Sequence, residues 1–173
     1  MSKTVIQFVM LTLILLSAQV LVLNHICLFN LAVPFVFIYV IIRLPITLSL
    51  NWTLTIAFLM GLTVDVFADT YGMNALACTI LAAVRRPVLH LYASREEELP
   101  RPEPSLYSLG TSVYLKYLLS MTLIYCTLIF VIESFTFFNP LRLLLRIVCS
   151  TVLSMLLMAG IDSLLTPRSE KRL

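Results

Sequence analysis

Glycine, histidine and charge are all scarce in this chain of 173 residues. It has four glycines and two histidines, and 12% of its residues are charged, against about 25% in ordinary soluble domains. The four scattered glycines do not match the pattern of a phosphate-binding P-loop or of a dinucleotide-binding fingerprint. The two histidines, His25 and His90, lie far apart and complete no metal-ligand or Cys-His motif. The sequence therefore predicts no cofactor, no metal site and no catalysis.

Paired cysteines and basic runs are also missing. The four cysteines lie in or beside apolar segments without the spacings of zinc or redox motifs, so we expect buried free thiols at Cys27, Cys78, Cys126 and Cys149. The net charge is +3, but the twelve basic residues are scattered. We therefore expect no nucleic-acid partner and interpret the basic residues as topology signals.

Apolar residues make up 60% of the chain, in long runs with short polar breaks. This pattern is typical of a polytopic membrane protein, since each helical span needs about 20 residues to cross roughly 30 Å of hydrocarbon. We predict an all-α membrane protein with one domain over residues 1–173 and six transmembrane helices near residues 4–23, 31–44, 50–69, 72–92, 113–133 and 141–165. The second span contains Pro34 and reaches only about 21 Å as a helix, a length that also fits a re-entrant segment.

The distribution of basic residues favours six crossings with both termini in the cytoplasm. With that topology only Arg142 and Arg146 face outward, and the other ten basic residues lie on the inner side, as the positive-inside rule requires. The acidic, proline-rich loop 94–110 is then cytoplasmic, either as a solvated connector or as a docking strip for a soluble partner. Arg85 and Arg86, near the inner end of the fourth span, are expected to extend to the headgroups.

The third span carries two carboxylates in one of the most apolar parts of the chain. Its small residues Thr53, Ala57 and Gly61 share a helix face with Asp65 and Asp69, so we expect this face to pack against other helices. The lipid would then contact Ile56, Phe58, Leu59 and Leu62.

A charge within the bilayer is costly and usually finds a partner inside the bundle. By depth along the helices, Asp65 lies level with Arg146, and Asp69 lies level with Arg142 and Glu133. Two interpretations remain open, a structural ion-pair cluster or a ligand, ion or partner site at the outer end, and both require spans 3 and 6 to be neighbours. Asp162 could pair with one of the span-4 arginines or with Lys116.

The stretch "GLTVDVFADTYGMNAL", residues 61–76, combines Gly-x-x-x-Asp late in span 3 with Gly-x-Asn-Ala at the start of span 4. This pattern, the span layout and the short basic C-terminus resemble the bacterial rod-shape-determining protein family MreD. The resemblance draws attention to Gly61, Asp65, Gly72 and Asn74. It implies a non-enzymatic scaffold in the bacterial inner membrane, within the complex for lateral peptidoglycan synthesis.

The partners that this resemblance implies are a bitopic MreC-type protein, MreB, RodA and a penicillin-binding transpeptidase. We also expect contact with the lipid bilayer, and a homodimer stays open as an alternative to a monomer. The MreD family is similar in turn to the substrate-binding S-components of energy-coupling-factor vitamin transporters, which also have six helices. A vitamin-binding transporter component is therefore the alternative function. It calls for a recessed pocket at the outer end with several convergent polar groups.

Overall fold

The computed structural model describes residues 3–25, 32–92, 104, 109–134 and 140–165, and these residues are helical or irregular, with no β-strand. Within these residues six α-helices follow one another, and a short 3₁₀ helix, Leu23–His25, follows the first. The helices are α1 (Lys3–Leu21), α2 (Ile38–Arg43), α3 (Leu50–Ala68), α4 (Met73–Tyr92), α5 (Thr111–Glu133) and α6 (Pro140–Leu165).

Four of these helices, α3 to α6, are long and apolar enough to cross a membrane. Their ends lie within two residues of the predicted ones. In α1 the apolar helical part is shorter, Phe8–Leu21. The all-helical class is therefore confirmed for the described residues, with four helices that could cross a membrane. Six transmembrane helices are not confirmed, because the predicted second span forms a helix over only the six residues of α2.

Residues 32–44, the central segment, run through the interior of the bundle. The part before α2 is non-helical, and the side chains from Phe37 to Ile42 are 0% exposed. Phe35 and Phe37 pack edge-on against Tyr125 of α5, with ring centroids 5.2 and 5.8 Å apart. A stretch that composition describes only as apolar is thus the core around which the long helices pack.

Irregular backbone within a membrane bundle needs hydrogen-bond partners from neighbouring side chains, because lipid offers none. Ser150 and Ser154 of α6 accept hydrogen bonds from the backbone N–H groups of Val33 and Phe35, at 3.0 and 2.8 Å. Gln19 of α1 accepts from the Val36 N–H at 2.9 Å and donates to the Pro34 carbonyl at 3.0 Å. Side chains of the first and last helices therefore replace the hydrogen bonds that a helix would make internally.

Two arginines of α4 bind the chain just after α2. Arg85 donates to the carbonyl of Leu44, and Arg86 donates to the carbonyls of Ile46 and Leu48 at 3.2 and 2.6 Å. Arg85 is only 2% exposed. The expectation that both arginines extend to the headgroups is therefore wrong for Arg85, because its guanidinium is used inside the protein.

The α3–α4 hairpin, the α4–α5 pair and the α5–α6 pair form the main helix contacts, and α3 also contacts α1. The buried face of α3 contains Thr53, Ala57, Gly61 and Asp65, as predicted. Asp69, predicted on the same face, is exposed because it lies at the turn after α3. Of the residues predicted to contact lipid, Phe58, Leu59 and Leu62 are exposed and Ile56 is half-buried. Cys78 and Cys126 are buried free thiols, as predicted, and Cys149 is a half-buried one.

We call the end of the bundle that contains the α3–α4 turn, residues 69–72, the turn end. The other end of the bundle is the opposite end. Cys27 and most of the loop 94–110 lie outside the described residues.

Candidate functional site

The turn end is built on a very close approach of α3 and α4. A Cβ atom placed on Gly61 would lie 2.6 Å from both the Cα of Ala75 and the carbonyl oxygen of Asn74. Real Cβ atoms do not come so near to backbone atoms, so this contact requires glycine. It brings the last two turns of α3 against the first turn of α4, where the N–H groups have no partner within their own helix.

Asp65 supplies those partners. Its Oδ1 accepts from the Asn74 N–H at 3.0 Å, and its Oδ2 accepts from the Ala75 N–H at 2.8 Å. These are the second and third N–H groups of α4, which an N-cap side chain normally binds. The residue at the N-cap is Gly72, which has no side chain. A carboxylate from the preceding helix therefore caps α4, and its charge is also stabilised by the helix dipole.

Two further donors complete the surroundings of Asp65. The Thr70 hydroxyl and the Asn74 side-chain amide donate to Oδ1 at 2.5 and 2.9 Å. The Tyr125 hydroxyl of α5 then donates to the Asn74 side-chain oxygen at 2.6 Å. This set of four side chains, Asp65, Thr70, Asn74 and Tyr125, is the turn-end network. It joins three helices through hydrogen bonds and leaves no arginine or lysine bound to the Asp65 carboxylate among the described residues.

Asp69 and Gly72 shape the turn itself. Asp69 is exposed and has a left-handed backbone (φ 52°), and its N–H donates to the Asp65 carbonyl, as does the N–H of Thr70. Gly72 also has a positive φ, 78°. Asp65 therefore ends α3 with its backbone carbonyl and begins α4 with its carboxylate.

The other predicted members of the ionic cluster form a separate contact. Arg146 lies 3.4 Å from Glu133 of α5, and its guanidinium lies over the Phe130 ring at 4.7 Å from the centroid. Arg142 is exposed one turn away. The predicted pairing of Asp65 with Arg146 or, one turn outward, with Arg142 is therefore wrong. Equal depth was not enough, because α3 packs on α4 and α1 whereas α6 packs on α5.

A second buried polar group lies at the opposite end. Asp162 of α6 is 0% exposed and accepts from the Tyr39 hydroxyl at 2.5 Å, and its Oδ1 lies 3.4 Å from Arg43. Arg43 also donates to the Tyr39 hydroxyl at 3.0 Å. The buried Tyr114 of α5 lies close to these three side chains. We call Tyr39, Arg43, Tyr114 and Asp162 the opposite-end cluster. Its Asp162 pairs with Arg43, not with Lys116 or an arginine of span 4.

Neither group has the composition of a metal centre, since the described residues contain no set of three or more histidine, cysteine or acidic side chains placed to hold a metal ion. In the turn-end network each side chain donates to, or accepts from, a group on another turn or helix. The arrangement can hold the helices in register. Its acceptor, the Asp65 carboxylate, already receives four hydrogen bonds from donors of the chain itself.

Sequence reasoning identified Gly61, Asp65, Gly72 and Asn74 but missed their partner Tyr125 and the whole opposite-end cluster apart from Asp162. One local signal was present. An aspartate late in one helix, followed by a turn and then Gly-x-Asn, places a carboxylate nine residues before the asparagine in the first turn of the next helix. No local spacing connects Tyr39 with Asp162, which are 123 residues apart.

Searches of protein-family models, of curated proteins and of solved structures find no match to this chain. Its assignment therefore depends on its own residues and their geometry.

Proposed function

We propose that this chain is a non-enzymatic membrane scaffold of the MreD type, which holds together the bacterial inner-membrane complex for lateral peptidoglycan synthesis and so maintains rod shape. The resemblance in residues 61–76 suggests this function. The geometry at those residues carries the proposal, because Gly61, Asp65, Gly72 and Asn74 all serve the α3–α4 junction. A motif that builds a rigid helical hairpin suits a protein that presents surfaces to partners.

The same proposal includes six crossings with both termini in the cytoplasm. If the second segment were a single helix, it would be too short to cross the membrane. Its non-helical part covers a greater length per residue than a helix does. Residues 32–36 can extend by up to about 3.3 Å each, and Phe37 with the six residues of α2 adds about 1.5 Å per residue, which gives roughly 27 Å together. That length supports a crossing by residues 32–43 between α1 and α3.

Topology can be tested by cysteine accessibility on a background without the native cysteines. A cysteine in place of Glu97 should be protected from an impermeant thiol reagent in intact cells and should react in inside-out vesicles. A cysteine in place of Tyr71, which is fully exposed in the α3–α4 turn, should show the reverse pattern. Reaction of the Glu97 position in intact cells would contradict the six-crossing topology.

The scaffold function itself can be tested by depleting the protein in the rod-shaped bacterium that carries it. We expect rounded cells and co-purification of an MreC-type protein with one membrane helix. A photo-reactive amino acid at Phe67 on the exposed face of α3, or at Leu156 on the exposed face of α6, would show which face contacts that protein. The matched control is the buried position Leu118, which should give no crosslink.

Normal cell shape after depletion, together with a vitamin that stays bound through purification, would contradict the scaffold proposal and favour the transporter component. In that case the crosslinks should lead to the other subunits of a transporter. The two functions therefore differ in phenotype, in bound ligand and in partner.

A further inference from the structure

Two arginines lie in the first two turns of α6, at the turn end of the bundle. Arg142 is exposed and Arg146 is half-buried, and their four-residue spacing makes the two side chains neighbours on one side of the helix. Like charges at this spacing repel each other, and the N-terminus of a helix adds a partial positive charge of its own. Positive charge is therefore concentrated at the start of α6.

Glu133 of α5 is the acid that contacts this pair, and the contact is weak. Both terminal nitrogens of Arg146 lie 3.4 Å from the same Glu133 oxygen, whereas a strong hydrogen bond between such charged groups measures about 2.7–2.9 Å. The Glu133 side chain is 44% exposed. Among the described residues no ion pair joins Arg142 to an acid, and the sequence has no acidic residue at positions 135–139. One carboxylate thus accompanies two guanidinium groups.

The surroundings of the pair are apolar and open to lipid. Leu141, Leu144 and Leu145 are exposed, and α6 is long and apolar enough to cross a membrane. At about 1.5 Å per residue, Arg142 lies about 3 Å and Arg146 about 9 Å from the start of the helix. Helical side chains point back towards the N-terminus, so both guanidinium groups reach the level of the lipid headgroups. Phosphate is the anionic group that phospholipids supply at that level.

We propose that Arg142 and Arg146 form a binding site for the phosphate group of an anionic membrane lipid. A guanidinium group can donate two parallel hydrogen bonds to phosphate oxygens, which the ammonium group of a lysine cannot do. Arg146 exchanges its long contact with Glu133 for a phosphate oxygen, and the acyl chains lie along the exposed side chains of Leu145 and Val148. The site does not depend on the scaffold function proposed above.

Phosphatidylglycerol is a suitable probe of this site. The full-length protein in detergent micelles is titrated with this lipid, and the bound lipid is counted by native mass spectrometry. We expect Arg142→Gln to weaken binding by about tenfold or more, because hydrogen bonds between charged groups are lost. Lys116→Gln is the matched control, since it also removes one exposed positive charge, from α5. It should leave the affinity nearly unchanged.

A substitution at Glu133 gives a change of opposite sign. Glu133→Gln removes the carboxylate that competes with phosphate for Arg146 and should tighten lipid binding by about two- to fivefold. A purely structural pair of Arg146 and Glu133 predicts no such gain. Arg142→Lys keeps the charge but loses the paired donors, so its affinity should lie between those of Arg142→Gln and the parent protein.

Two competing ligands distinguish the sources of the binding energy. Diacylglycerol has the acyl chains without phosphate, and inorganic phosphate has the anion without the chains, so each should displace phosphatidylglycerol poorly. Efficient displacement by diacylglycerol would indicate an apolar surface only, and efficient displacement by inorganic phosphate would indicate a site for free anions. Either result would overturn the proposal. Unchanged lipid binding by Arg142→Gln, together with loss of a co-purifying protein, would also overturn it and would assign the arginines to a protein partner.

Discussion

Each end of the bundle buries an aspartate, Asp65 at the turn end and Asp162 at the opposite end, and the two are stabilised differently. Asp65 accepts four hydrogen bonds from residues five to ten positions further along the chain, two of them from backbone N–H groups at the start of α4. Asp162 depends on a phenol and a guanidinium on α2, more than a hundred residues earlier. A helix N-terminus can thus stabilise a buried carboxylate without a second charge, whereas an ion pair requires two distant elements to meet.

The largest effect should come from removing one partner of the ion pair. Asp162→Ala removes the buried carboxylate that binds both Arg43 and Tyr39, and breaking a buried pair in this way costs about 3–5 kcal/mol. The double variant Asp162→Ala with Arg43→Met should lose less than the sum of the two single changes. Unfolding free energies in mixed detergent micelles would show a coupling energy of about 1–3 kcal/mol. The same cycle on Asp65 and Arg146 is the control, with an expected coupling near zero.

At the turn end, Asp65→Ala should lower the unfolding free energy by about 3 kcal/mol, because the change removes the cap of α4 and leaves several buried donors without an acceptor. Asp65→Asn keeps one acceptor oxygen and should lose about half as much. The exposed Asp69→Asn is the control and should stay within about 0.5 kcal/mol of the parent. An Asp65→Ala variant as stable as Asp69→Asn would contradict the capping account.

The close helix approach can be tested separately from the charge. Gly61→Ala places a Cβ against the backbone of α4 and should cost about 1–3 kcal/mol through forced separation of the helices. Gly160→Ala, on α6, meets nothing within 4 Å. It should be neutral, or stabilising by up to about 1 kcal/mol, because alanine favours helix more than glycine does. If both changes have equal effects in the same unfolding assay, the contact at Gly61 is not tight.

The smallest expected effect concerns the link from the turn-end network to α5. Tyr125→Phe keeps the ring contacts with the central segment but removes the hydrogen bond to Asn74, which should cost about 1 kcal/mol. If Asp65→Ala has already disordered Asn74, the added Tyr125→Phe change should cost less in that background. Full additivity of the two changes would show that Tyr125 and Asp65 do not belong to one network.

The sequence was a good guide to the long helices, since apolar length and the small-residue face of α3 follow directly from periodicity and composition. It was a poor guide to the central segment, because composition cannot distinguish a buried helix from buried irregular chain. The distinction depends on Gln19, Ser150 and Ser154, whose spacing from the segment has no local pattern. Depth along the helices also placed Asp65 and Arg146 at one level but could not tell which helices face each other.

The hydrogen bonds between the central segment and α6 set an order for biogenesis. Phe35 leaves the ribosome 119 residues before Ser154, its hydrogen-bond partner. At about 5–20 residues per second, that interval is roughly 6–24 s. During this time the N–H groups of Val33 and Phe35 lack the serines that bind them in the folded protein, so water or the segment's own carbonyls must accept their hydrogen bonds. The conformation that residues 32–37 have in the bundle can therefore form only after α6 has been translated, even though they are encoded near the start of the chain.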